Sequence, residues 1–303
     1  MIDIFSAHLG EAASLIVALT WASAVILFKK SGESVHPLAL NLFKNVLAFV
    51  LMIPTLIFFG KSFPSELSNS DIWLLIISGA LGIGLSDSMF FRSLNLLGAG
   101  LSAIVDCLYS PFIIGLSVLW LGESLNAMQI VGTVMIISAV LTAVRVKGSP
   151  NLKRKDLLWG IFWGAMAMAT MAVGIVMIKP ILDKTALLWV TQIRLAGGII
   201  VLLVILGFTP KRREYLATLK YDKGKIYTWT GSFIGAYLAM ILWITGMKFT
   251  QASTAAALNQ TSNIFVFLLA ALFLKERITI QRGIGIILGV AGATMVILYR
   301  TTG

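Results

Sequence analysis

Ten apolar stretches of roughly 20 residues, broken by short charged turns, leave this chain few folds to adopt. Inside hydrocarbon no water satisfies a backbone amide or carbonyl, so a segment this apolar must pair its own polar groups and cross as a helix. The stretches run over about 11–28, 37–59, 72–91, 98–119, 125–144, 156–178, 186–208, 226–247, 250–273 and 278–299. Membrane-barrel strands are only ~10 residues long and alternate in polarity, a pattern absent here. With 58% of residues hydrophobic and 12% charged, against about a quarter charged in soluble domains, the chain reads as an all-α membrane protein of ten transmembrane helices. Ala22-Ser23-Ala24 resembles a signal-peptidase site, but no Lys or Arg precedes the first stretch. The second half also carries a counterpart of that stretch, so it is expected to be retained.

The second constraint is a duplication. Adding 153 carries residues 98–132 onto 251–285, with Ala99 on Ala252, Ala103 on Ala256, Leu116 on Leu269, Leu119 on Leu272, Leu121 on Leu274, Glu123 on Glu276 and Gly132 on Gly285. Adding 150 aligns Lys29 with Lys179 and Lys44 with Arg194, so the later hairpins have slipped by three residues. Each half then holds five helices, an odd number, and the halves are expected to enter the bilayer with opposite orientations. The predicted units are 1–147 and 156–303, joined by a basic linker over 148–155 that opens on Gly148-Ser149-Pro150.

Charge and special residues exclude several functions. The net charge of +11 is carried in short turns between spans, which argues for membrane orientation and against nucleic acid. Outside Lys44 and Arg194, seventeen Lys and Arg fall on one side of the predicted topology and five on the other, placing both termini outside. Cys107 is the single cysteine, and both histidines, His8 and His36, lie near helix ends, so no metal site, cofactor or histidine relay is expected at depth. Nucleotide-binding, metalloprotease and serine-hydrolase motifs are all missing from the sequence, and an enzyme is not expected.

Two five-helix units, a Glu-x-Leu/Ile turn before the last helix of each (Glu123-Ser124-Leu125 and Glu276-Arg277-Ile278), a glycine nine residues past that Glu, an early Trp21-Ala22, and a cation early in the second and seventh helices together resemble the EamA branch of the drug/metabolite transporter superfamily. The resemblance covers nearly the whole chain. It implies a secondary transporter, often an exporter of amino acids, other small metabolites or drugs, working by alternating access in a prokaryotic plasma membrane as a monomer or homodimer. Lys44 departs from the family's usual Arg and gives up the planar bidentate fork. Many members have cytoplasmic termini, the reverse of the charge count.

The site candidates follow from polarity at depth. Ser102, Asp106, Tyr109 and Ser110 share one face of the fourth helix, and Asn259, Ser262 and Asn263 hold the matching positions in the ninth. A mid-membrane carboxylate costs about 2.5–3.5 kcal/mol on insertion scales, so Asp106 is expected to couple a proton or bind a substrate ammonium, or to form a structural ion pair with Lys44 or Arg194. Those two cations suit an anionic substrate group, or a gating or snorkelling role. Asp87 and Arg92 read as an interfacial pair one turn apart. Trp21, Trp163, Tyr109, Tyr237 and Trp243 are candidate aromatic walls, with helix packing the alternative for each. Pro111 beside Ser110 is expected either to break the hydrogen-bond ladder of the fourth helix and expose carbonyls to a cavity, or only to kink the helix in packing. Segment 209–225 suits either a short surface helix or a solvated loop. A small amphiphilic or zwitterionic substrate, moved passively or by a proton or ion gradient, fits this set. A channel or a non-transporting scaffold would use similar helices.

Overall fold

A computed structural model describes residues 9–59, 62–64, 66–121, 127–145, 153–220, 223–249, 258–276 and 279–298. Among these residues every regular element is a helix. In order they are α1 (Leu9–Ser31), α2 (Pro37–Phe59), α3 (Asn69–Gly79), α4 (Ser86–Leu97), α5 (Ala99–Asp106), α6 (Tyr109–Leu121), α7 (Ala127–Arg145), α8 (Arg154–Val176), α9 (Lys179–Lys184), α10 (Leu187–Phe208), α11 (Arg212–Lys220), α12 (Lys225–Ser232), α13 (Ala239–Phe249), α14 (Ser262–Phe273) and α15 (Ile280–Leu298). Among the described residues, seven helical spans are long and apolar enough to cross a membrane, and three shorter apolar helices cover Ala127–Ala139, Leu258–Phe273 and Ile280–Met295. The turn that carries Glu123, the linker over 148–152 and the start of the ninth stretch lie outside the described residues.

Three predicted spans are built differently from plain helices. The third is continuous from α3 to α4 through a π-helical turn at Ala80–Leu85, and the eighth from α12 to α13 through a second at Phe233–Leu238, 153 residues later. A π turn widens the helix by one residue and frees carbonyls locally. In the first, Asn41 on α2 takes up those carbonyls, its Nδ2 donating to Ile83 O at 3.1 Å and Gly84 O at 2.8 Å. The fourth span breaks at Cys107–Leu108, between α5 and α6. Pro111 has no N–H to offer the Cys107 carbonyl, which instead accepts from Ser110 N at 3.3 Å in a tighter turn. The predicted break therefore falls four residues before the proline.

Small residues set how closely the helices approach. Ser93 on α4 donates to Gly160 O on α8 at 2.7 Å. Gly79 and Gly197 form a close crossing of α3 and α10: a Cβ on Gly79 would meet the backbone carbonyl of Arg194, and one on Gly197 the backbone carbonyl of Ile76. The apolar core around α1, α4 and α5 is closed by Phe28 and Phe91, whose rings meet edge to face at 4.9 Å.

The surface segment 209–225 contains a helix, α11, carrying Tyr215 and Leu219. The Tyr215 ring stacks on His36 at 3.5 Å, and Thr218 Oγ1 accepts from the His36 amide at 3.1 Å. Partial burial, with Arg92 second, lowers the His36 pKa below its ordinary value, despite the opposing effect of Glu214. The neutral ring leaves Nδ1 to accept from Leu38 N at 3.3 Å, starting α2.

Glu276, singled out by its repeat, caps the other half of the chain. Its two carboxylate oxygens accept from Ala99 N at 2.7 Å and Gly100 N at 3.1 Å, the first amides of α5, and Arg282 Nη1 lies 3.5 Å from Oε2. A carboxylate at a helix N-terminus meets both orphan amides and the positive end of the helix dipole. Glu276→Gln is expected to cost about 0.5–2 kcal/mol of stability, read as a lower midpoint of thermal unfolding in detergent. An unchanged midpoint would remove the cap from the account of α5.

Candidate functional site

A cavity of about 160 Å³ opens at the π turns and the α5–α6 break. It is comparable to an engineered cavity of ~150 Å³ that takes up benzene. Its walls pair residues related by the offsets seen in the sequence. Ala18 and Met168, Trp21 and Met171, and Lys44 and Arg194 are 150 apart. Gly82 and Gly235, Asp87 and Met240, Phe90 and Trp243, Asp106 and Asn259, and Tyr109 and Ser262 are 153 apart. The π turns bring the two glycines to the cavity wall, so helix backbone rather than side chain borders the space there.

Lys44, 2% exposed, makes two hydrogen bonds. Its Nζ donates to Asp87 Oδ2 at 2.6 Å and to Asn45 Oδ1 at 3.0 Å. Asn45 Nδ2 donates in turn to Asn41 Oδ1 at 2.8 Å, linking the ion pair to the first π turn. A buried pair is held better when further hydrogen bonds satisfy its ions, and the Asn45 amide supplies one of them to Lys44. The interfacial Asp87–Arg92 pair is thereby corrected: Asp87 is 5% exposed and bound to Lys44, while the Arg92 guanidinium stacks over Trp163 at 4.4 Å. The sequence window ended the third span near residue 91, but α4 continues to Leu97, which sets Asp87 deep in the bundle.

Arg194, 1% exposed, is held differently. Nε donates to Ser78 Oγ at 3.0 Å, Ser78 passes the bond on to Gly174 O at 2.5 Å, and the guanidinium lies 5.6 Å over the Trp243 ring. Asp106 forms an ion pair with neither cation; among the described residues its carboxylate has no ionic partner within 4 Å. Tyr109 Oη, both amide atoms of Asn259, and Arg194 Nη1 are buried without hydrogen-bond partners among those residues.

Of the residues selected from sequence, Lys44, Asp106, Tyr109, Arg194, Trp21, Trp243, Asn259, Ser262 and Asn263 line the cavity. Three do not. Ser110 accepts from Gln260 Nε2 at 2.9 Å just behind the wall. Trp163 stacks on Trp159 at 6.2 Å and under Arg92. Tyr237 shares a 2.5 Å hydrogen bond with Thr55 at the α2 contact. Sequence reasoning missed Phe90, Met240 and Gln260 in the lining and placed Asp87 at the interface. The offsets contained the signal for one of them: Trp243 less 153 is Phe90.

Comparison with known proteins agrees with this architecture. The model of the EamA-like transporter family matches twice, over residues 8–145 and 158–298. An uncharacterized transporter of Archaeoglobus fulgidus is 25% identical over 288 residues, 94% of this chain and 96% of that protein. Protein PecM of Dickeya dadantii is 25% identical over 270 residues, covering 88% and 85%. The uncharacterized transporter YvbV of Bacillus subtilis is 25% identical over 245 residues, covering 76% and 74%. A chain of known crystal structure superposes with a TM-score of 0.62 at 17% identity, over 96% of this chain and 98% of its own, and shares the fold. With both halves matched and its length filled by apolar helices, the chain belongs to the EamA-like transporter family and is an integral, multi-pass membrane transporter.

Proposed function

We propose that the chain is a secondary exporter of small metabolites, amino acids or related amphiphilic compounds, in a prokaryotic plasma membrane. Two five-helix units, 1–147 and 156–303, lie in the bilayer with opposite orientations and rock about the cavity to open it to one side at a time. One observation carries this: the cavity walls are drawn from corresponding positions of both halves. An inverted pair of units can exchange roles across such a site, so each half becomes in turn the closed side. A cavity about the size of a single ring suits a small solute. Asp106 is the residue through which a proton gradient would act, because it is the cavity carboxylate outside the Lys44 pair.

The test is counterflow by the purified protein in liposomes, with a labelled pool of amino acids and other metabolites at two lumenal pH values. The expected result is counterflow of one compound, lost or made independent of pH by Asp106→Asn. Transport with unchanged pH dependence in that variant would remove Asp106 from coupling. No transport of any member by well-folded protein would count against the exporter.

A further inference from the structure

We propose that Arg194 recognises a carboxylate of the ligand, and that this carboxylate occupies in the second half the place Asp87 fills in the first; this presupposes that the cavity is the transport site. Lys44 and Arg194 stand 150 residues apart and both border the cavity. Lys44 carries its own counter-ion, Asp87, at 2.6 Å. The position 153 residues after Asp87, on the segment just past the second π turn, is Met240, which also borders the cavity. The two halves therefore present equivalent cations, but only the first supplies the anion.

The consequence is visible at the guanidinium. Its Nε is spent on Ser78, and Nη1 is buried without a hydrogen-bond partner among the described residues. Nη2 faces Gly82, where a Cβ would stand 3.3 Å away, so side-chain bulk is absent on that flank. Asp87 acts on Arg194 only from beyond ion-pair distance and is already bound to Lys44. A buried cation with an unmade donor is stable only when something completes it, and an unpaired buried donor is costly. The chemistry that completes it is one negative charge on a planar group accepting from a guanidinium edge. A phosphate dianion would need a second cation, and Lys44 is neutralised. Trp243, 5.6 Å from the guanidinium, offers its ring face beside the same site.

The variant that tests this adds the missing anion. Met240→Asp places in the second half the carboxylate that the first half has, and Met240→Asn is the uncharged control of the same shape. Probes are L-threonine, L-valine, L-phenylalanine and phenylacetate, each beside its carboxamide, with binding read by calorimetry in detergent. The wild type is expected to bind at least one acid about tenfold or more tighter than its amide, since a charged partner is lost. Met240→Asp is expected to bind that acid about tenfold or more weakly than Met240→Asn, while unfolding at no lower temperature, because Arg194 is then internally paired. Equal affinity in the two variants, equal affinity for acid and amide, or an absence of acid binding overturns the assignment. Counterflow of a compound without a carboxylate overturns it too and leaves the exporter standing. Failure of all counterflow removes the exporter itself.

Discussion

Asp87→Ala is expected to destabilise the protein by about 3–5 kcal/mol, the usual cost of stranding one partner of a buried ion pair. Lys44 would be left at 2% exposure with only the Asn45 amide to accept from it. Asn45 is tied to Asn41, and Asn41 to the carbonyls of the first π turn, so the loss reaches α2 and α3–α4 together. The measurement is the midpoint of thermal unfolding in detergent, with yield of monodisperse protein as a second readout. The double variant Lys44→Met/Asp87→Leu should recover most of the loss, because an apolar pair of similar volume replaces a buried ion pair at little cost. A single variant as stable as wild type, or a double variant as damaged as the single, would show that the pair does not hold the bundle.

The second large effect is expected at the α3–α10 crossing, and it carries a sign contrast. Alanine in place of glycine inside a helix ordinarily stabilises by up to about 1 kcal/mol. At Gly79 and Gly197 the new methyl would instead run into backbone carbonyls of Arg194 and Ile76, which cannot step aside as a side-chain tip can. Overpacking of this kind costs about 1–3 kcal/mol, and larger residues such as leucine should prevent the crossing. Gly115 on α6 has open space where a Cβ would stand, so Gly115→Ala should be neutral or mildly stabilising. Matched unfolding curves of the three alanine variants decide it. The same sign at Gly79 and Gly115 would mean that the close approach is not a determinant of packing.

The long spans were legible because hydrocarbon imposes one solution on an apolar segment of that length, and helix boundaries such as 37–59, and 186–208 against the observed 187–208, needed no tertiary information. Asp106, Lys44 and Arg194 were legible as site candidates for the same reason: charge at depth is rare. Asp87 escaped because charges at 87 and 92 resemble a span terminus in any hydropathy window, while the helix in fact continues for one and a half more turns. Trp163 and Tyr237 were drawn toward the cavity by residue type alone, and facing is a property of packing that type does not encode. The role of Glu276 was hidden for a related reason, since its partners lie 176 and 177 residues away. A single sequence marks such a residue as repeated without naming what it caps.

The π turn at Ala80–Leu85 also acts as a rotational setting. One residue corresponds to about 100° of helix rotation, so the widened turn fixes the phase of α4 relative to α3. If the widened turn relaxed into regular α-helix with no residue removed, every side chain from Ser86 to Leu97 would swing by that angle. Asp87 would leave Lys44, Phe90 would leave the cavity, and Ser93 would lose the Gly160 carbonyl, with no side chain altered. The width of the turn between Gly79 and Asp87 is thus as much a component of the buried charge pair as the lysine and the aspartate themselves.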